Sequence, residues 1–467
     1  MRYSMDAWEN FMKKIVSMAV SFALCASCFS TDISKYLRTA PNVDRAMLSA
    51  DYWISKSVDP KKVIISTDEI MRLNKEVQDA SSSDEGKFAY YASSKKNKSI
   101  SKKKLLELLD FNFGADYYIE GVKVSQSYKD DLLSYRNLDS VKDTNEVGYA
   151  FVLRRGGLRL LPTDDILTLD EVRSFYDEMQ NSSVLMNEPV VVLHQTEDSA
   201  WYFVMTSYCC GWLPSSNIAF CHGYDEWNSY RNPSDFLVVS ENKFRLDYDW
   251  VNDRISEVEV SMGTKLQLVP VSEYQTSYEG REAYDNYIVR IPDRSQGGYL
   301  IFHNAYIPLG KSVSIGYVPY TRENILRMAF SALGERYGWA GLYDARDASQ
   351  FVMELYRAFG FDIPRSTPGL IPMDAPTVDV SGMSAAHKQS LLKYIPSGSI
   401  LLLPGFAMVY LGEVDGRYYV ISSSGENIYE SSSKVTQTQG VSVYDLDTKR
   451  KNGQKCIDAI SKIKVMY

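Results

Sequence analysis

Nucleophilic catalysis needs a thiol or hydroxyl beside a base, and the sequence offers six cysteines and four histidines for that task. The stretch best built to activate such a group is Arg346-Asp347-Ala348-Ser349. Asp347 suits a helix N-cap, Phe351, Val352, Leu355 and Phe359 recur at helical spacing, and Gly360 can close the helix in the left-handed conformation. Residue 348 therefore falls in the first helical turn, where amide donors and the helix dipole would lower the pKa of a thiol. A methyl group stands there instead and cannot attack a carbonyl. Cys209, Cys210, Cys221 and Cys456 all lie away from this stretch.

The elements that must position it belong to a long chain. At 467 residues it exceeds one hydrophobic core and divides into three or four domains. A net charge of −8 argues against nucleic acid as the main partner. Thirty-four tyrosines and seven tryptophans suit β-rich modules, as groove linings or simply as sheet packing.

Residues 1–30 read as a signal peptide: Lys13 and Lys14 precede the apolar run Ile15 to Leu24, which ends in small residues. The run is short for a membrane span. Cys28, after Cys25-Ala26-Ser27, is a candidate lipidated cysteine and so a candidate membrane attachment. Export to the periplasm or cell envelope is expected. There, Cys221 and one of Cys209 or Cys210 are the easiest cysteines to pair. Cys209-Cys210 lacks the spaced partners of a tetrahedral metal site, and no metal or cofactor is expected.

Residues 31–145 read as a mainly helical domain, with Asp51 to Ile54 and Ile70 to Asn74 as anchors and a serine- and lysine-rich exposed loop at Ser81 to Lys104. Two small β-barrels follow, at 146–225 and 235–319. Pro189 to His194, Trp201 to Met205 and Gly211 to Leu213 read as strands of the first. Phe236 to Val239, Lys265 to Val269, Tyr287 to Ile291 and Tyr299 to Phe302 read as strands of the second. From 320 to 467 a helix capped by Thr321, the helix after Asp347 and a proline-rich crossing from Pro364 to Pro376 precede an antiparallel sheet. That sheet holds Ile400 to Leu403, Met408 to Leu411 and Tyr418 to Ile421, the last two joined by Asp415-Gly416. Helices followed by an antiparallel sheet give a papain-like α+β domain within a multidomain α+β chain.

The order Leu-Arg-x-x-Pro-Thr, a valine strand, Trp-Tyr-Phe and Gly-Trp in the first barrel resembles the bacterial SH3-like domains of cell-wall hydrolases. Tyr337-Gly338-Trp339-Ala340-Gly341, Asp347-Ala348-Ser349, Pro364-Arg365-Ser366-Thr367 and Pro404 to Gly412 together resemble the NlpC/P60 family in its multidomain form. The resemblance implies a cysteine endopeptidase cutting γ-D-glutamyl-diamino acid bonds of peptidoglycan stem peptides. Its cysteine position falls on Ala348, its histidine position on Phe406 and its third polar position on or near Ser422. Ser349 points about 100° around the helix from residue 348, and none of His194, His222, His303 and His387 occupies a matching strand position.

The resemblance leaves Tyr337, Arg346, Asp347 and Ser349 as candidate ligand contacts, with plain N-capping as the competing role of Asp347. The expected protein is catalytically dead and binds stem peptides or an envelope protein. Two alternatives stay open: a peptidase with a non-standard nucleophile, and a scaffold whose groove is plugged by Phe406.

Overall fold

The computed structural model describes residues 37–80, 98–171, 175–274, 280, 282–370, 375–427 and 435–466. The expected signal peptide, Cys28 and most of the Ser81 to Lys104 loop lie outside these residues. Residues 41–467 form one compact unit; residues 37–40, from a separate unit, carry no regular secondary structure.

Four helices come first: α1 (Ala50–Ile54), α2 (Thr67–Ala80), α3 (Lys102–Leu108) and α4 (Gln126–Ser134). Ser49, Ser101 and Ser125 cap three of them, each accepting from a first-turn amide. These helices share no common core. Trp53 of α1 is fully buried with its ring 5.5 Å from that of Tyr419, a burial worth about 3 kcal/mol. Ile100, Leu105 and Leu109 pack instead with Phe151 and Trp212 of the first barrel. The stretch expected as one helical domain is thus two pieces, because each apolar face finds its cover on a different neighbour.

The first β-module comprises β1 (Gly148–Val152), β2 (Gly156–Arg159), β3 (Gln180–Val184), β4 (Pro189–Gln195), β5 (Trp201–Met205), β6 (Cys210–Pro214) and β7 (Ile218–Phe220). They pair antiparallel in the order β7-β1-β4-β5-β6-β2-β3. Then α5 (Tyr224–Arg231) closes one side, its Trp227 fully buried and donating to Ala150 O at 3.2 Å.

The second module pairs β8 (Phe236–Val239), β9 (Lys265–Leu268), β10 (Asn286–Arg294), β11 (Leu300–Pro308) and β12 (Val313–Ile315) in the order β11-β10-β9-β8-β12. Leu237, Val260, Leu266, Val289 and Ile307 fill its core.

The C-terminal domain opens with α6 (Arg322–Ser331), capped by Thr321 as expected, and α7 (Ala348–Arg357). Next come β13 (Thr377–Asp379), α8 (Ala385–Leu392), β14 (Ile400–Leu403), β15 (Phe406–Val414), β16 (Arg417–Asn427), β17 (Thr436–Asp445) and β18 (Lys462–Lys464). The sheet order is β13-β18-β14-β15-β16-β17. Asp415 and Gly416 turn β15 into β16 with φ of 50° and 78°, the left-handed pair that a two-residue hairpin demands. Helix α7 lies on β15 and β16, with Phe351, Val352 and Leu355 fully buried. No helix among the described residues is long and apolar enough to cross a membrane.

Candidate functional site

The helix start is built as the sequence implies. Asp347 caps α7, its Oδ1 accepting from the Gln350 amide at 2.9 Å, and its Oδ2 accepts from the Ala340 amide at 3.1 Å. The cap thereby fixes the preceding loop, in which Ala340 and Gly341 both take positive φ. Arg365 completes the arrangement: its Nη2 donates to Asp347 Oδ2 at 2.6 Å and its Nη1 to Ser349 Oγ at 2.8 Å. Ser349 donates in turn to Asp347 Oδ1 at 3.2 Å. Its hydroxyl thus faces a carboxylate already paired with a cation, with no imidazole to take its proton.

Ala348, 5% exposed, begins α7. Phe406 opens β15, paired with Leu403, and Ser422 lies inside β16, opposite Ser442. The fold thus gathers the three positions on one helix start and the two strands it covers. Ser423, next to Ser422, ties β16 to the helix start by donating to Arg346 O at 2.7 Å. The methyl of Ala348 and the ring of Phe406 carry no group that attacks a carbonyl or takes a proton. Ser422 is fully buried, its Oγ 2.6 Å from the Tyr444 hydroxyl.

Phe406 faces a cleft of about 420 Å³ shared with Tyr176, Tyr337, Trp339, Glu426 and Lys451. Tyr176 arrives from the loop before β3 and meets Trp339 edge-on at 5.0 Å. Burial, with Asp347 and Tyr176 nearby, pushes the Tyr337 hydroxyl far above its usual range, so it stays protonated and can donate. Ala348 is not one of the lining residues. Among the expected ligand contacts, Tyr337 lines the cleft, while Asp347 and Ser349 are engaged with Arg365 beside it.

Arg346 has a different place from the groove border expected for it. Its side chain is 2% exposed and pairs with Glu335 and Glu354, each at 2.5 Å, while also donating to Asn242 of the second module. Arg155 of the first module reaches Glu354 as well, at 2.9 Å. Arg346 is therefore a buried tie between domains. Glu335 and Glu354 lie 11 and 8 residues away, but Asn242 is 104 residues upstream, so nothing next to Arg346 in sequence announces the tie.

Three of the four described cysteines have thiols held in the protonated form by burial. Cys456, which sequence spacing leaves far from the helix start, does line the cleft. Its thiol is buried and burial pushes it up to about 12, so it carries no thiolate. Cys209 is pushed up to about 11 and Cys221 further, also by burial. The expected pairing of Cys221 with Cys209 or Cys210 is not formed; all four stand as free thiols. Cys221 is packed into the module's core with Tyr149 and Trp227, while Cys210 opens β6 and packs against the same core without a disulfide to Cys221.

The histidines lie elsewhere. His194 Nε2 meets Arg136 O at 3.0 Å, His222 stacks on Tyr299, His303 meets Asp293 at 2.9 Å and His387 sits exposed on α8. Among the described residues no group of three or more His, Cys, Asp or Glu is arranged to hold a metal ion.

The SH3 domain (SH3b1 type) family matches residues 174–214, within the first β-module. A search of curated protein sequences finds no match to the chain. Among solved structures, an NlpC/P60 endopeptidase from Photobacterium damselae subsp. piscicida superposes with a TM-score of 0.70 at 14% identity, covering 92% of this chain and 98% of that one. An NlpC/P60 family protein from Bacillus cereus matches with a TM-score of 0.46 at 15% identity, over 68% of this chain and 100% of that one. The chain thus has a bacterial-type SH3 module and the multidomain α+β fold of an NlpC/P60 endopeptidase.

Proposed function

We propose that this is an exported envelope protein that binds peptidoglycan stem peptides in the old peptidase cleft without hydrolysing them. The observation that carries the reading is the trio Ala348, Phe406 and Ser422, which sit on the helix start and strands of a peptidase fold and supply no nucleophile and no base. One replaced residue leaves room for a substitute, but here the attacking and proton-accepting groups are both missing. Aromatic walls from Tyr176, Tyr337, Trp339 and Phe406, with Glu426 and Lys451 paired to each other at 3.0 Å beside them, suit recognition of a peptide that can exchange its own charges into that pair. The SH3 module supports a cell-wall setting. Membrane attachment through a lipidated Cys28 belongs to the same reading.

The test is calorimetric titration of the full chain with a soluble stem tripeptide ending in a diamino acid. Saturable binding without turnover, weakened at least about tenfold by Trp339→Ala, supports the reading. No binding to the native protein overturns it in favour of a scaffold whose groove is closed by Phe406.

A further inference from the structure

Helix α7 has a second polar site at its other end. Arg357, its last residue and about 13.5 Å from Ala348 at the helical rise, borders a cavity of about 340 Å³. The walls come from several parts of the chain: Asn187 and Glu188 after β3, Arg231 at the end of α5, and Thr264 and Lys265 at the start of β9. Lys75 and Asp362 complete the charged lining, so four cations face two carboxylates. Glu188 is taken by Arg357 at 2.7 Å, which leaves Arg231 and Lys265 in excess.

Four polar atoms in this lining are buried with no hydrogen-bond partner among the described residues; Glu188 Oε2 is answered by its ion pair with Arg357, which leaves Arg231 Nε, Thr264 Oγ1 and Asn187 Oδ1. Leaving each unpaired costs about 1–3 kcal/mol. Thr264 is 1% exposed and points its hydroxyl at nothing else. Asn187 already donates through Nδ2 to Lys265 O at 2.9 Å, so its Oδ1 is an acceptor lacking a donor. Arg231 Nε–H and Thr264 O–H are donors lacking an acceptor. Burial, then Arg357 and Arg231, pull the Lys265 ammonium down to about 8, against the smaller pull of Glu188 and Asp362. A cavity with surplus positive charge, two idle donors and one idle acceptor is the complement of a particular ligand.

We propose that this interdomain cavity binds a small organic oxyanion, carboxylate or phosphate, that also carries a hydroxyl or N–H donor. The anionic oxygens take Lys265, Arg231 Nε and Thr264 Oγ1, and the ligand's donor meets Asn187 Oδ1. The site is separate from the aromatic cleft and does not depend on what that cleft binds.

The test titrates the full chain with malate, glycerol phosphate and succinate, the last lacking the donor. Thr264→Val removes an orphan hydroxyl at nearly constant shape, so the variant folds. Lys265→Met is the second variant. Saturable binding of malate or glycerol phosphate with a Kd near or below about 1 mM, tighter than succinate and weakened about tenfold or more in both variants, supports the site. Malate alone or glycerol phosphate alone tells a carboxylate source from a phosphate one. Binding by none of the three, affinity for succinate equal to that for both hydroxylated probes, or affinities unchanged in both variants overturns it.

Discussion

Arg365 Nη2 lies 2.6 Å from the Asp347 carboxylate that also caps the helix beginning at Ala348. One acid therefore carries the helix start, the loop before it and a nearly buried guanidinium. An acid so engaged holds the groove's edge rigid, and it meets a ligand amine only in competition with Arg365.

Removing it should be costly. Asp347→Ala loses the cap, worth about 0.5–2 kcal/mol, and strands Arg365, so a loss of about 3 kcal/mol is expected in urea unfolding. Asp347→Asn keeps the cap and should lose less. Equal losses would mean that the charge pair contributes nothing.

The buried carboxylate of Glu354 gives a pH-dependent prediction. Burial alone would raise its pKa, but Arg155 and Arg346 outweigh that and bring it down to about 2. The folded value is below the unfolded one, so the stabilisation is present above about 4.3 and is lost as pH falls toward 2. About 3 kcal/mol is at stake over that window. Glu354→Gln should cost about 3–5 kcal/mol at neutral pH, and acid titration of its stability should be flatter than the native protein's between pH 4 and 2.

Lys265 contributes a penalty where Glu354 stabilises, although stability rises with pH for both. Its folded value near 8 lies below the unfolded value near 10.4, so the folded state releases the proton first. The penalty is full below pH 8 and fades as pH rises toward 10.4. Lys265→Met should therefore be more stable than the native protein by about 2 kcal/mol at pH 7 in anion-free buffer, after allowing about 1 kcal/mol for the lost bond to Arg231 O. That advantage should shrink by pH 10. A constant difference across the range would contradict it.

The thiols should be inert. Native protein treated with iodoacetamide at pH 8 and read by peptide mass spectrometry should leave Cys209, Cys221 and Cys456 unlabelled while unfolded protein labels quickly. Rapid labelling of Cys456 would reveal a thiolate in the cleft and reopen peptidase chemistry.

Much of the frame was legible because its signals are local. Asp347 and Gly360 bound α7 through capping and a left-handed closure with φ of 97°, and Asp415-Gly416 fixed the hairpin. Phe236 to Val239 and Pro189 to His194 announced strands through runs of branched residues. The sheet edge was not legible: β13 and β18 are three residues each and pair Val378 with Ile463 across the whole domain. Long-range partners hid the rest. Arg346 meets Asn242, Arg365 meets Ser182 at 2.8 Å, and Trp53 of α1 packs on Tyr419, more than 360 residues away. Of the aromatic cleft, Tyr337 and Phe406 showed in advance, but Tyr176 did not, because it reaches the cleft from another domain.

The most direct test incubates the native full chain with muropeptides and reads the products by mass spectrometry. Intact muropeptides, in a preparation that still binds the stem tripeptide, are the expected result. Cleavage at the γ-D-glutamyl-diamino acid bond by the native protein would contradict the proposed function, which takes Ala348 and Phe406 as the positions of the nucleophile and the base.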